Sequence, residues 1–465
     1  MKILLLSVNR EKMPYPVFPL GLAYIASVLE EQGHQLRIVD LCFSEKLEEE
    51  LRMQALRWKP DLIGLSLRNL DNLTYPSPVS YVPEAEEVIA FCRRYSTAKV
   101  VIGGSGFSLA PRELLMELDV DFGVVGEGEH PILSLVDCLE RGIPATGIPG
   151  LIAREEVSED LPSMDRVESI GFPSRDLLDN GRYLRHGGMG NIQTKRGCPF
   201  NCIYCTYPLL EGPSLRMRPV GDILRELRLL REHHGVDYVY FVDDIFNFPR
   251  DHALGLCRSM AAGGIGVKWV AFVNPGYVDE ELIEAMKGAG CMGVEFGTDS
   301  GSPAMLKRLG KSFTAEDIVR ASEICRKVDI PFAHYLLLGG PGEDEKTMEE
   351  SASLMEQVEP TAVIVMVGIR IYSGTELERI SLSEGIIGPD TNLMYPHFYI
   401  SPRLGDEILP WVSRRALEKR WIVPGLEINI SRDLMEGIRR FHVRGPLWNL
   451  VPRMKRSRVR PLSGG

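Results

Sequence analysis

Three cysteines, Cys198, Cys202 and Cys205, stand in the short run Cys198-Pro199-Phe200-Asn201-Cys202-Ile203-Tyr204-Cys205. Three thiolates at this spacing can converge on one centre when a loop wraps around it. A structural zinc site wants four ligands in a closed tetrahedron, and no fourth Cys or nearby His accompanies this loop. Thiolates also suit iron–sulfur clusters, whose usual complement is four. A set of three leaves one iron open, and an open metal position is where a substrate or cofactor reacts. The chain holds nine cysteines, an odd number that excludes complete internal pairing. The remaining ones, Cys42, Cys92, Cys138, Cys257, Cys291 and Cys325, form no second metal-binding spacing.

The pattern Cys198-x3-Cys202-x2-Cys205, with Tyr204 just before the last cysteine, resembles the signature of the radical S-adenosylmethionine (SAM) superfamily. The resemblance implies a [4Fe–4S] cluster on the three thiolates, with the amino and carboxylate groups of SAM on the fourth iron. It implies, too, a 5′-deoxyadenosyl radical, which reaches C–H bonds that side chains cannot activate, so cofactors carry the chemistry. Further segments follow in the superfamily's order. Residues 240–247 resemble the end of a second barrel strand, with Val242-Asp243-Asp244 in place of the usual Gly-Gly-Glu. Residues 295–302 resemble the fourth-strand segment at the SAM ribose and amino-acid end. Residues 338–343 resemble the fifth-strand glycine motif near the adenine, and 371–375 the sixth-strand end. By this resemblance Tyr204, Asp243, Glu295, Asp299, Ser300 and Gly340 contact SAM. No catalytic acid or base is assigned.

Two series of strand–helix units must position these residues. Within 1–150, apolar runs at 2–9, 36–40, 62–67, 100–103 and 122–125 read as strands, while 20–32, 84–95 and 111–118 have helical spacing. Strands apolar throughout, separated by helices, predict a parallel sheet covered on both faces. This is a doubly wound, Rossmann-like α/β domain, whose ligands sit beyond the carboxyl ends of the strands. Gly103-Gly104-Ser105-Gly106 and Gly126-Glu127-Gly128 lie at those ends, where glycine either admits a ligand or makes a tight turn. Residues 151–185 read as a polar linker. From 186 to 380, strands at 190–194, 238–242, 268–272, 293–297, 332–338 and 362–371 alternate with helices. Such a series predicts a partial (β/α)6 barrel with its chemistry at the strands' carboxyl ends. Residues 381–465 read as a mainly helical extension with a basic tail.

A doubly wound domain directly ahead of such a barrel resembles the cobalamin-binding subgroup of the superfamily, its class B methyltransferases included. The match covers residues 1–380 and implies cobalamin against Leu20, Gly21, Gly103, Gly104, Ser105, Gly126, Glu127 and Gly128. Many members carry Asp-x-His-x-x-Gly, whose His binds cobalt. Here Asn9-Arg10-Glu11-Lys12 follows the first strand, and no His precedes His34. Arg68 and Asn69, at the end of the third strand, are the candidates for facing the lower cobalt side; the alternative for Arg68 is a pair with a surface carboxylate. Arginine is always charged and a very poor metal ligand.

The resemblance points to a cobalamin-dependent radical SAM enzyme, a C-methyltransferase acting on an unactivated carbon of a small-molecule, natural-product or lipid substrate. Cyclisation, ring contraction or another rearrangement with the same cofactors is the alternative, separated from it by product mass. Methylthiotransfer needs a second cluster, for which Cys42, Cys92 and Cys138 stand too far apart. A non-catalytic cobalamin or redox sensor would leave SAM uncleaved. An electron donor such as flavodoxin or ferredoxin is implied.

The net charge of −11 makes nucleic acid a poor partner for the whole chain. Residues 391–465 nonetheless carry 14 Lys/Arg against 6 Asp/Glu. Their end, with Arg453, Lys455, Arg456, Arg458 and Arg460, either attracts an acidic substrate, carrier protein or anionic lipid surface, or stays a solvated tail. Trp411, Trp421 and Trp448 either line an apolar pocket or pack in the core. The apolar run at 1–8 is too short for a signal segment or a membrane span. With scattered thiols, a cytoplasmic location and no transmembrane segment are expected.

Overall fold

The computed structural model describes residues 1–157, 164, 166–431, 433–435, 437 and 444–449. Its amino-terminal unit is a sheet of Lys2–Ser7, Gln35–Asp40, Leu62–Ser66, Lys99–Gly103, Phe122–Val124 and Leu151–Ala153. Numbered in that order the strands lie 2-1-3-4-5-6, the first five parallel and the last antiparallel. Along the first strand Ile3 and Leu5 join one apolar cluster, Leu4 and Leu6 another. The helices Leu20–Glu31 and Glu129–Arg141 cover one face, and Val82–Tyr95 the other. Burial on both faces is why these strands show no alternation. The order reverses between strands one and three, which opens a crevice beyond their carboxyl ends.

The antiparallel strand Leu151–Ala153 opens the segment expected as a linker. It pairs with Phe122–Val124 and closes the edge of the sheet. Three residues are too few to carry a periodic signal, so the sequence does not mark it.

The second unit has Gly190–Ile192, Tyr238–Phe241, Lys268–Val273, Cys291–Asp299, Phe332–Leu338 and Ala362–Val367 side by side in chain order, all parallel. Its first and sixth strands do not pair, so the barrel stays open. Val220–Glu232, Arg250–Ala262, Glu280–Gly288, Ala315–Val328 and Glu345–Val358 flank it. The last two helices start at capping boxes, Thr314 with Asp317 and Asp344 with Thr347. Val239, Phe241, Trp269, Ala271, Val294 and Phe296 pack into the cluster under the helices. By strand alternation Tyr240, Phe272 and Glu295 face the lumen.

The expected final strand divides at Gly368, whose φ of 71° turns the chain. Ile369–Arg370 then pairs antiparallel with Phe398–Tyr399. The helix Ile408–Lys419 packs on the barrel with Trp411 and Trp421 in one apolar cluster, so these two are core residues. Ile422, Met435, Leu447 and Trp448 cluster with Ala333 and Ile364 inside the barrel. The basic tail from Arg453 to Arg460 lies outside the described residues. Among the described residues no helix is long and apolar enough to cross a membrane.

Candidate active site

The cysteine loop is entered through a short ribbon, Lys195–Arg196 paired with Arg216–Met217. Gly197 opens it at φ 94°, where a Cβ would stand 2.2 Å from the Ser214 carbonyl oxygen, so only glycine fits. The Cys205 amide donates to the Cys202 carbonyl, and the Ile203 amide to the Leu309 carbonyl, each at 3.1 Å. Burial pushes the Cys198 thiol up to about 11 and the Cys205 thiol up to about 12, with Cys202 and Asp244 adding to both. Burial raises Cys202 as well, while Lys311 pulls it down. Among the described residues no three His, Cys, Asp or Glu side chains converge on a single-ion position. A cubane cluster does not ask for that, because each thiolate binds its own iron. Three free thiols on one loop, with no fourth protein donor among the described residues, fit a [4Fe–4S] cluster with one open iron.

At the end of the fourth barrel strand, Asp299 takes a left-handed φ of 63°, which Asp tolerates better than most residues. Its carboxylate accepts from Tyr204 Oη, and from Lys311 Nζ at 2.7 Å. Burial opposes the charge on Lys311, but Asp299 and Cys202 outweigh it and raise the pKa, keeping the ammonium protonated. The structure thus brings Tyr204 and Asp299 to the thiols through a lysine that no motif indicated. Lys311 lies twelve residues beyond Asp299, in a turn that only the fold returns to the loop.

The two carboxylates after the second strand have different surroundings. Asp243, the SAM contact expected from the motif, is occupied within the protein. It accepts from the Thr194 amide at 2.6 Å, the Thr194 hydroxyl, and Lys195 Nζ at 3.0 Å. Asp244 has a buried Oδ2 with no partner among the described residues. Burial, with Glu211 and Asp243 adding, raises its pKa well above the carboxylate range. Its charge is felt by Cys198 and Cys205. A buried acid oxygen without a donor, close to the cluster loop, fits the ammonium group of SAM.

The other expected SAM contacts are engaged elsewhere. Ser300 Oγ bonds Ser351 Oγ at 2.9 Å, against the helix layer. The Gly340 amide donates to Glu343 Oε2 at 3.0 Å, and the Gly339 amide donates to the same oxygen. Glu343 Oε1 has no partner among the described residues, and burial lifts this carboxyl to about 7. Glu295 lies in the lumen and accepts from Tyr240 Oη and Trp448 Nε1, each at 2.6 Å, and from Tyr335.

Beyond the ends of the first sheet lies a cavity of about 570 Å³, closed on its far side by the barrel. Leu20, Gly21, Arg68, Asn69, Gly103, Gly104, Ser105, Gly126, Glu127 and Gly128 line it from the sheet, and Asn191, Gln193, Tyr207 and Leu210 from the barrel. A Cβ on Gly21 would meet no protein atom within 4 Å, so the first helix opens there onto empty volume. A wide space bounded by glycine backbone and apolar side chains suits a large, flat ring system such as cobalamin. Among the described residues no histidine lines it. Arg68 has no hydrogen bond or ion pair among the described residues, and burial lowers its pKa.

Glu127 touches the cavity, yet its carboxylate is committed to the protein. It accepts from Arg216 and from the Val167 amide, both at 2.8 Å, and pairs with Arg196 at 3.2 Å. Glu129 pairs with Arg196 at 2.7 Å. Arg196 and Arg216 are opposite one another in the ribbon below the cysteine loop, so these acids clamp that loop to the first sheet. Asp71 and Arg370, 2.8 Å apart and buried, make a second link between the two units.

Family profiles match both units: the Radical SAM superfamily over residues 192–355, and the B12 binding domain over residues 6–136. An uncharacterised methyltransferase of Pyrococcus horikoshii is 27% identical over 376 residues, 79% of each chain. The tryptophan 2-C-methyltransferase of Streptomyces laurentii is 26% identical over 450 residues, 82% of this chain and 75% of its own. The radical SAM methyltransferase TsrM from Kitasatospora setae, solved with cobalamin and a [4Fe–4S] cluster, superposes with a TM-score of 0.86 over 98% of both chains at 23% identity. That likeness shows a shared fold. One profile falls on the sheet that bounds the cavity and the other on the barrel that bears the cysteine loop. The chain accordingly belongs to the cobalamin-binding radical SAM superfamily and is an enzyme of its methyltransferase family, with a [4Fe–4S] cluster, SAM and cobalamin as its cofactors.

Proposed function

We propose that the chain is a C-methyltransferase that adds a methyl group derived from SAM to an unactivated carbon of a small-molecule, natural-product or lipid substrate. The observation that carries this reading is the cavity, lined by the first-sheet ends on one side and by Tyr207 and Leu210, just past the cysteine loop, on the other. When bound, the cluster and SAM supply a hydrogen-abstracting radical and cobalamin supplies the methyl group.

The chain's own part is to hold and orient. Cys198, Cys202 and Cys205 hold the cluster, and Asp244 meets the SAM ammonium. Tyr204, Asp299 and Lys311 brace the loop against the fourth strand beside that position. Gly340 backs the adenine end through a turn that Glu343 holds shut. Arg68 would meet cobalamin in the cavity it lines, where a permanent cation offers no ligating lone pair. Reducing equivalents come from a flavodoxin- or ferredoxin-type donor, and nine free cysteines suit a cytoplasmic enzyme.

Product mass tests the reading. With SAM labelled in its methyl group, the product gains the labelled methyl; an unlabelled, rearranged product sinks the proposal in favour of cyclisation or ring contraction. The acceptor in the name of the Streptomyces relative makes tryptophan a sensible first substrate to assay. For Arg68, the Arg68→Ala enzyme reconstituted with cobalamin is expected to show a shifted visible spectrum and reduced turnover. Unchanged spectra and turnover would remove Arg68 from the site.

A further inference from the structure

One carboxylate stands both on the cavity wall and at the entrance to the cysteine loop. Glu211 lines the cavity together with Gln193, Arg196 and Glu127. Its Oε2 accepts from the Gly197 amide at 2.8 Å. The carbonyl of the next residue, Gly212, accepts from the Cys198 amide at 3.0 Å. Two consecutive residues thus hold the two consecutive amides that lead to Cys198, the first of the three thiols.

A bonded path runs from this carboxylate back along the wall. Gln193 Nε2 donates to Glu211 Oε1 at 3.2 Å, and Gln193 Oε1 accepts from Arg196 Nε at 3.1 Å. Arg196 pairs in turn with Glu127 at 3.2 Å and Glu129 at 2.7 Å, beyond the fifth strand of the first sheet. Its guanidinium also lies 4.9 Å from the ring of Tyr24, another residue of the wall. Arg216, already bonded to Glu127, donates to the Glu211 carbonyl at 2.7 Å. The polar wall of the cavity and the entrance to the cysteine loop are therefore one bonded set. Arg196, Glu127 and Glu129 in it are buried, so a member that moves must carry its neighbours or break hydrogen bonds out of water's reach.

We infer that Glu211 is a positioning residue that couples the cobalamin cavity to the cysteine loop, so that each cofactor binds more tightly when the other is in place. The inference rests on the placement of the two cofactors proposed above. Cobalamin bears primary amides around its ring, and such groups donate to a carboxylate and accept from a guanidinium. Glu211 and Arg196 offer both on one wall. A ligand that engages this wall orders the side chains that hold the Gly197 amide. A loop already ordered by its cluster spares cobalamin that cost, which makes the coupling positive. By linkage the factor is the same in both directions.

The experiment is an anaerobic absorbance titration with hydroxocobalamin, run on the cluster-loaded chain and on the same chain after its iron has been removed. Both forms are expected to bind, the loaded one about tenfold more tightly. Glu211→Ala should bring that ratio close to one. Gln193→Ala leaves Glu211 on the Gly197 amide but cuts the path to Arg196, and should lower the ratio at least about threefold with iron per monomer unchanged. A side chain that merely lines the cavity would change both affinities equally and leave the ratio standing. The inference is overturned if the wild-type ratio is one, or if either variant keeps the wild-type ratio. Should Glu211→Ala fail to retain its cluster, the Gln193→Ala ratio decides alone. Absence of binding to both wild-type forms would overturn it together with the cavity assignment. A rearranged, unlabelled product, with the ratio high in the wild type and lost in the variants, would fault methyl transfer and leave this inference standing.

Discussion

The cofactor cavity and the barrel end beside it are built from opposite materials. Toward the first sheet the cavity is bounded by backbone at Gly103, Gly104, Gly126 and Gly128, with Arg68, a cation that has no pair among the described residues. Around the barrel the polar side chains are already bonded to one another: Asp243 to Thr194 and Lys195, Asp299 to Tyr204 and Lys311, Glu295 to Tyr240 and Trp448. Removing one member of such a set strands a buried partner, whereas a side chain added at Gly21 on the cavity wall meets open space. The barrel side should therefore answer substitution with large, discrete losses, and that open part of the cavity wall with small, graded ones.

The largest effect tests the contrast at its extreme. Cys202→Ala removes one of the three thiols proposed to hold the cluster, so iron per monomer should collapse and turnover should vanish. Cobalamin reconstitution, which depends on the other unit, should persist. Next come the neighbouring acids. Asp243→Asn unpairs Lys195 and should lower stability by about 3–5 kcal/mol in denaturant melts. Asp244→Asn strands nothing, and should leave the melt in place while weakening SAM by roughly 10–100-fold. Equal losses of SAM affinity in both variants, with unchanged melts, would erase the distinction between anchor and ligand.

The same contrast decides what could be read in advance. Requirements of the backbone appear directly as residue types, so the glycines after strands four and five marked the cavity, and three cysteines marked the loop proposed to hold the cluster. Buried strands showed as unbroken apolar runs because both faces are covered. Side-chain networks leave no such trace. Asp243 and Asp244 are adjacent and chemically alike; only the position of Thr194 and Lys195 separates their roles. Trp448 meets Glu295 across 153 residues, and Glu127 meets Arg216 across 89. Glu127 lines the cavity as its place after strand five suggests, but its commitment to the ribbon under the cysteine loop is visible only in three dimensions.

Glu343 sharpens the comparison through pH. Its carboxyl is buried, accepts two amides and has an ordinary value of 4.5 raised to about 7. Between those values the folded chain binds the proton more tightly than the unfolded chain does. Stability contributed by this group is therefore full below about pH 4.5 and is lost as pH rises through about 7, a difference of about 3 kcal/mol. Melts from pH 5 to 8 should show that decline in the wild type and a flatter profile in Glu343→Gln. Parallel profiles would mean that the glycine turn does not depend on this proton.

The smallest effect lies on the cavity side, at Gly21 in the first turn of Leu20–Glu31. Glycine within a helix is less stable than alanine by about 0.5–1 kcal/mol, through the extra freedom of the unfolded chain. Nothing in the protein excludes a methyl group there, since an added Cβ has no neighbour within 4 Å. A purely structural position would favour alanine. Gly21→Ala should therefore raise the stability of the cofactor-free chain by up to about 1 kcal/mol. In the same variant cobalamin should be retained less well through gel filtration, because the new methyl enters the volume that the corrin ring needs. The two readouts must move in opposite directions. A variant that is more stable and holds cobalamin as firmly as the wild type would show that the ring lies elsewhere in the cavity.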